Sequence, residues 1–198
     1  GSLNTPGHVI LNVAILGRRG GARGRDAAVA IGGVVPDAPM FVFYAVERFV
    51  FRHSGSVIWS ERYYDADWQR VFDVFNSLPL LALAAGIAYV LHRRMVAWAF
   101  VSMALHAAMD LPVHNDDGHR HFYPFSDFRF DSPVSYWDPA HFGAYAATAE
   151  ALAVFVASAV VYRRVRSRWA RGGLIVVDAA YVAMCVAVWV WFARSGAS

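Results

Sequence analysis

The apolar stretches of this chain are the feature that most limits its fold. Five of them, about 27–51, 72–92, 95–113, 141–162 and 173–193, approach the roughly 20 residues that an α-helix needs to cross a bilayer. The expected fold is therefore all-α: a polytopic transmembrane helix bundle of about five spanning helices. An earlier stretch, 6–17, is too short to span alone. Thr5 is its expected N-cap and Pro6 its first helical position, which gives a short N-terminal half-helix that enters halfway or lies on the surface. One integral-membrane domain over 3–198 is expected, with Gly1 and Ser2 set aside as a non-native scar.

Composition agrees with the pattern. The chain is 58% hydrophobic and 17% charged, against about 25% charged in soluble domains. Mean hydropathy is +0.36. All 18 basic residues are arginine, and they gather in short loops. Arg18, Arg19, Arg23 and Arg25 form one group, Arg93 and Arg94 a second, and Arg163, Arg164, Arg166, Arg168 and Arg171 a third. If every long segment spans, the three groups fall on one side, which the positive-inside rule makes cytoplasmic. That arrangement points to a lipid bilayer as partner and away from nucleic acid. The other loops, 52–71 and 114–140, are rich in Trp, Tyr and Asp and suit an outer interfacial belt.

Polar residues interrupt the apolar segments at matching depths. With a rise of about 1.5 Å per residue, His8 lies ~15 Å above the basic loops, Asp37 ~16 Å, His106 ~18 Å and Glu150 ~20 Å. Asp110 and Asn76 come out near ~25 Å. His106 and Asp110 share a helix face at i and i+4, and His114, Asp116, Asp117, His119 and His121 follow at once. Buried ionisable groups in a membrane helix are costly unless paired, metal-bound or turned to a polar cavity. A shared cavity is the simplest explanation of their common depth. Asp37, between Pro36 and Ala38-Pro39, also suits the backbone groups freed at a kink. Asp178 is expected to pair near the last basic loop, and Cys185 to be a packing residue.

The ligand types define a chemistry. Imidazole and carboxylate without thiolate suit a divalent metal, Zn first, with Mn or Fe(II) as alternatives. The single cysteine excludes a cysteine-rich site. Neither a Gly-x-Ser-x-Gly elbow nor a His-Glu-x-x-His helix is present, which argues against a serine hydrolase and a zincin-type protease.

The motifs, in order, are Thr5-Pro6-Gly7-His8, Val34-Val35-Pro36-Asp37, Leu105-His106-Ala107-Ala108-Met109-Asp110 and Tyr123-Pro124-Phe125-Ser126-Asp127-Phe128-Arg129-Phe130. This series resembles the YdjM-type membrane-bound metal-dependent hydrolases, also called LexA-binding inner-membrane-associated hydrolases, over roughly residues 5–135. That family is distantly similar to zinc-dependent phospholipase C. The resemblance implies a helical fold, phosphoester chemistry, an inner (cytoplasmic) membrane and His8, Asp37, His106 and Asp110 as metal ligands. One position departs: the family's His-Arg-Gly-Phe-Thr-His-Ser corresponds to Val71-Phe72-Asp73-Val74-Phe75-Asn76-Ser77, so Asn76 replaces a histidine. The residues of 114–121 are the expected compensation, with His114, His119 or His121 reaching the metal.

The reading that unites these features is a membrane-embedded metal-dependent hydrolase. Its substrate would be a phosphoester or lipid at the periplasmic or outer face. Asp110, Asp116 or Asp117 would act as general base, and Arg120 or Arg129 would stabilise phosphate charge. Two other activities fit the same residues: a non-catalytic scaffold with a structural metal, and a transporter or proton relay.

Overall fold

A computed structural model of the chain describes residues 4–18, 24–115, 118–135 and 141–195. Among them are nine α-helices and no strand: α1 (Thr5–Leu16), α2 (Arg25–Val34), α3 (Ala38–Ala45), α4 (Gly55–Ser60), α5 (Ala66–Asn76), α6 (Leu78–Val90), α7 (Arg94–Asp110), α8 (Gly143–Arg164) and α9 (Arg168–Ser195). Four helical stretches are long and apolar enough to cross a membrane: Arg25–Val50, Arg94–Val113, Gly143–Arg164 and Arg168–Arg194. The pair α5–α6 makes a fifth if counted as one broken span. The chain is a helical membrane protein by length and composition, with α1 as a short apolar helix beside the spans.

The breaks have identifiable causes. Pro36 has no N–H to donate and Pro39 follows it, so α2 passes into α3 through a short 3-10 turn, Val35–Asp37. The turn carries the Asp37 carboxylate into the bundle. The 72–92 segment differs from its single-span expectation. Its helix starts earlier, at Ala66, and bends by 48° where α5 meets α6. Ser77 takes extended backbone there, caps Leu80 N–H with its hydroxyl and precedes Pro79. The α1 start also differs from expectation. Asn4, not Thr5, is the cap position, and Thr5 is the first helical residue, its hydroxyl used elsewhere.

The basic loops meet at one end. Arg25 donates to Leu16 C=O at 2.6 Å and lies 3.6 Å from the centre of the Trp98 ring. Arg164 donates to the last carbonyls of α1, with Ala14 O at 2.9 Å and Gly17 O at 3.2 Å. Cations at helix C-termini also suit the helix dipole.

Close approach of helices sets the site. At Gly32 of α2 a Cβ would overlap the Ala99 carbonyl and the Ser102 Cβ of α7, so only glycine allows this contact. At Gly7 of α1 a Cβ would overlap the Tyr181 hydroxyl of α9. α1 therefore sits deep, flanked by α2 and α8, while α9 packs against α8 at the outside. Ile10, Val154, Val161 and Tyr181 form one apolar cluster around α1. Phe43, Ile58, Tyr63 and Phe72 form another where α3, α4 and α5 meet.

Candidate metal centre

Three segments bring four side chains to one point. His8 comes from α1, Asp37 from the turn before α3, and His106 and Asp110 from one face of α7. His8, His106 and Asp110 each offer a ligand atom within 4.8 Å of the others, and all three are buried. His8 Nε2 lies 2.9 Å from Asp110 Oδ1. His106 Nε2 lies 3.3 Å from Asp110 Oδ2 and 3.4 Å from Asp37 Oδ1. The two imidazoles stack with ring centroids 3.5 Å apart, which turns both Nε2 atoms to the same carboxylate.

Surrounding groups fix these orientations. A carbonyl only accepts, so His106 Nδ1 carries a proton and donates it to Gly33 C=O at 3.0 Å. Nε2 then faces the two carboxylates with no hydrogen bond of good geometry. Two buried carboxylates converging on one nitrogen need a positive charge between them, which a proton on Nε2 or a divalent cation supplies. Zn–N and Zn–O bonds of about 2.0–2.2 Å at tetrahedral angles place neighbouring ligand atoms roughly 3.3–3.5 Å apart, the spacing of His106 Nε2 to both carboxylates. The donor set therefore fits a divalent metal. Asp37 is aimed by Thr5, whose hydroxyl donates to Oδ2. This is the outer support that metal ligands commonly receive.

The three histidines that follow α7 turn inward. His114, His119 and His121 are buried, and His114 Nε2 lies 3.8 Å from Asp110 Oδ1. Ring centroids are 6.0 Å apart for His114 and His119, and 6.2 Å for His119 and His121. Burial and the neighbouring His114 push His119 down to about 3, so it is a neutral imidazole. Burial likewise lowers His121. His119 Nδ1 and His121 Nε2 have no hydrogen-bond partner among the described residues. Asp116 and Asp117 lie outside those residues.

Two arginines expected to meet phosphate are engaged by the protein. Arg120 donates from Nε to Asp73 Oδ2 and from Nη1 to Asp127 Oδ1, both at 2.6 Å. These bonds raise its pKa further, first through Asp73. Arg129 donates to Gly118 C=O and Gln69 Oε1. Both arginines tie the loop to α5, and Asp73 is the buried anchor that the sequence reading missed. Its position one helical turn before Asn76 was the available signal.

Other polar groups find separate partners. Glu150 accepts from the Tyr181 hydroxyl at 2.5 Å and from Asn4 N–H at 3.2 Å. Asp178 accepts from Ser158 of α8, not from the basic loop as expected, because the side chain lies between α8 and α9. Cys185 packs beside the α1 cluster. Asn76 donates to Phe72 C=O, and its Oδ1 has no hydrogen-bond partner.

A cavity of about 380 Å³ opens beside the centre. Asp37, Asn76, His114 and His119 line its polar side, and Phe41, Tyr44, Trp59 and Phe72 are among its apolar walls. No family model, curated protein or solved structure matches the chain.

Proposed function

We propose that the protein is a membrane-embedded metal-dependent hydrolase acting on a phosphoester, as its resemblance to the YdjM-type hydrolases implies. The observation that carries this reading is the convergence of His8, His106 and Asp110, with His106 Nε2 buried between Asp110 and Asp37. His8, Asp37, His106 and Asp110 would hold the ion, with His114 at its margin. Zn is the best fit to this donor set, and Mn and Fe(II) suit it next. When bound, the metal supplies a water of lowered pKa and a Lewis acid for the phosphoryl oxygen.

The chain's own residues do the remaining work. Gly33 C=O holds His106 in the tautomer that presents Nε2. Thr5 turns Asp37 toward His106 and leaves that carboxylate on the cavity wall, where a substrate would meet it. The aromatic walls exclude bulk water from a bound ester. Arg120 and Arg129 each spend donors on the protein, at Asp73 and Asp127 and at Gly118 and Gln69, and so hold the loop on α5 beside the centre.

One observation favours a second reading, a proton relay. Asn12, a turn below His8, donates to Ser102 Oγ, and Ser102 donates to Val29 C=O, which extends polar groups toward the arginine end. Elemental analysis of the purified protein separates the two readings, followed by hydrolysis of bis(p-nitrophenyl) phosphate before and after EDTA. The hydrolase reading expects near-stoichiometric metal and turnover that EDTA abolishes and Zn restores. Metal-free protein with no turnover after Zn, Mn or Fe(II) addition overturns it.

A further inference from the structure

We propose that the substrate is a lipid phosphoester whose hydrocarbon chain lies in a lateral groove that begins at Thr5, beside the metal centre, and follows α1 and α9. The proposal rests on the hydrolase reading for its chemistry and on separate geometry for its substrate class. The groove encloses about 650 Å³ between α1, the α2–α3 junction and α9. Its walls include Val9 and Ile10 of α1, Val34 before the break, and Gly173, Leu174 and Val177 of α9. No charged residue lines it.

Three observations make it more than a packing gap. The groove and the cavity at the centre share Asn4, Thr5 and Phe41 as lining residues. The two therefore adjoin at Thr5, whose hydroxyl holds Asp37. The Asp37 carboxylate stands on the cavity side of that residue and apolar side chains on the groove side, as at the ester of a lipid. Next, Gly173 faces open space: a Cβ there would meet nothing within 4 Å. α9 packs against α8 and leaves this side bare. Third, Phe41 is 57% exposed within a membrane-spanning stretch, so the junction opens sideways to the bilayer. A chain gains little transfer free energy on leaving lipid for such a groove, because lipid tails are equally apolar. What the groove supplies is position: a seated chain holds its head at Thr5 and Asp37.

The probe is hexadecyl phosphate with a diazirine at the chain end, photolysed with the full-length protein in phosphatidylcholine nanodiscs. Labels are expected on Val9, Ile10, Leu174 or Val177 and should be competed by unlabelled hexadecyl phosphate. Gly173→Trp should cut them at least ~fivefold, because a filled groove leaves no room for the chain. Gly172→Trp, also in open space but off the groove, should not. Labels spread over Trp169, Ile175 and Val176 and indifferent to Gly173→Trp overturn the groove. A second readout compares ethyl and hexadecyl p-nitrophenyl phosphate, which share one leaving group. The hexadecyl ester should be favoured on the order of tenfold through positioning, and Gly173→Trp should erase that preference without changing metal content. Equal turnover of both esters, with no groove label, leaves the hydrolase standing and removes the lipid. Specific labels with no metal and no turnover remove the hydrolase and leave the lipid site.

Discussion

Glu47 and Asp110 are both carboxylates buried in membrane-spanning helices, and they answer burial in opposite ways. Glu47 has no exposed surface, and donors surround it: His53 Nδ1 at 2.7 Å, Arg62 Nε at 3.3 Å and Trp68 Nε1 at 3.1 Å. Each brings a proton, so the group is closed, and it ties α4 and α5 to the outer end of α3. Asp110 is 1% exposed, and its partners are two stacked imidazoles, His8 at 2.9 Å and His106 at 3.3 Å. Imidazoles can exchange a proton for a metal ion, which the arginine and indole at Glu47 cannot. Burial alone does not separate a structural carboxylate from a site; the chemistry of its partners does.

The comparison breaks most visibly by truncation. Asp110→Ala should lower metal affinity at least ~100-fold and remove the rise in Tm that Zn produces, since metal bound only to the folded state adds directly to stability. Glu47→Ala should cost roughly 3–5 kcal/mol, because it leaves the buried donors unpaired. That loss should be the same with and without EDTA. Thermal melts of both variants with Zn and with EDTA check this, and equal EDTA sensitivity would erase the distinction.

The next effect is one step removed from the ligands. Thr5→Val keeps the shape at Asp37 and removes the hydroxyl donor, so metal affinity should fall about 10–100-fold. Thr5→Ser should restore most of it. Competition with a chromophoric chelator measures both, and an unchanged Thr5→Val would make the contact incidental.

A smaller effect concerns the loop over the centre. His119 folds as a neutral imidazole held down to about 3, against about 6.5 when unfolded. Its pKa is depressed on folding, so its contribution is complete above pH ~6.5 and declines as pH falls toward about 3. In metal-free protein, hydrogen exchange of 118–135, corrected for intrinsic rates, should rise on the order of tenfold between pH 7 and 5. His119→Phe should flatten that rise, and an unflattened one assigns it to another group.

The spans were legible because apolar length is a local signal, and so was the i, i+4 pair on α7. The arginine loops could be placed together by counting segments, and Arg25 and Arg164 do meet the end of α1. The partners of Asp73, Glu47 and Glu150 were not legible. Asp73 and Arg120 lie 47 positions apart, and Glu150 and Tyr181 lie 31 apart. No local period links such pairs; the glycines that let helices touch decide them. Sequence shows the charge of Arg120 but not Asp73 and Asp127 beside it.

Asn76 allows the most delicate test of the contrast. It is buried, lines the cavity with Asp37, His114 and His119, and leaves Oδ1 without a hydrogen-bond partner. An amide oxygen is a weak ligand beside an imidazole. Asn76→His would put back the residue type that the YdjM-type pattern carries, and its Nδ1–H can replace the bond to Phe72 C=O. At a centre built from exchangeable imidazoles and carboxylates, the added ligand should raise Zn affinity about fivefold. The matching change at the closed carboxylate is Trp68→His, which offers Glu47 an imidazole of the same kind. No metal should bind there, since Arg62 and His53 already supply that carboxylate with protons. Chelator competition on both variants reads the difference directly. A gain at Trp68→His equal to that at Asn76→His would mean that any buried carboxylate in this fold recruits metal, and Asp110 would lose its special standing.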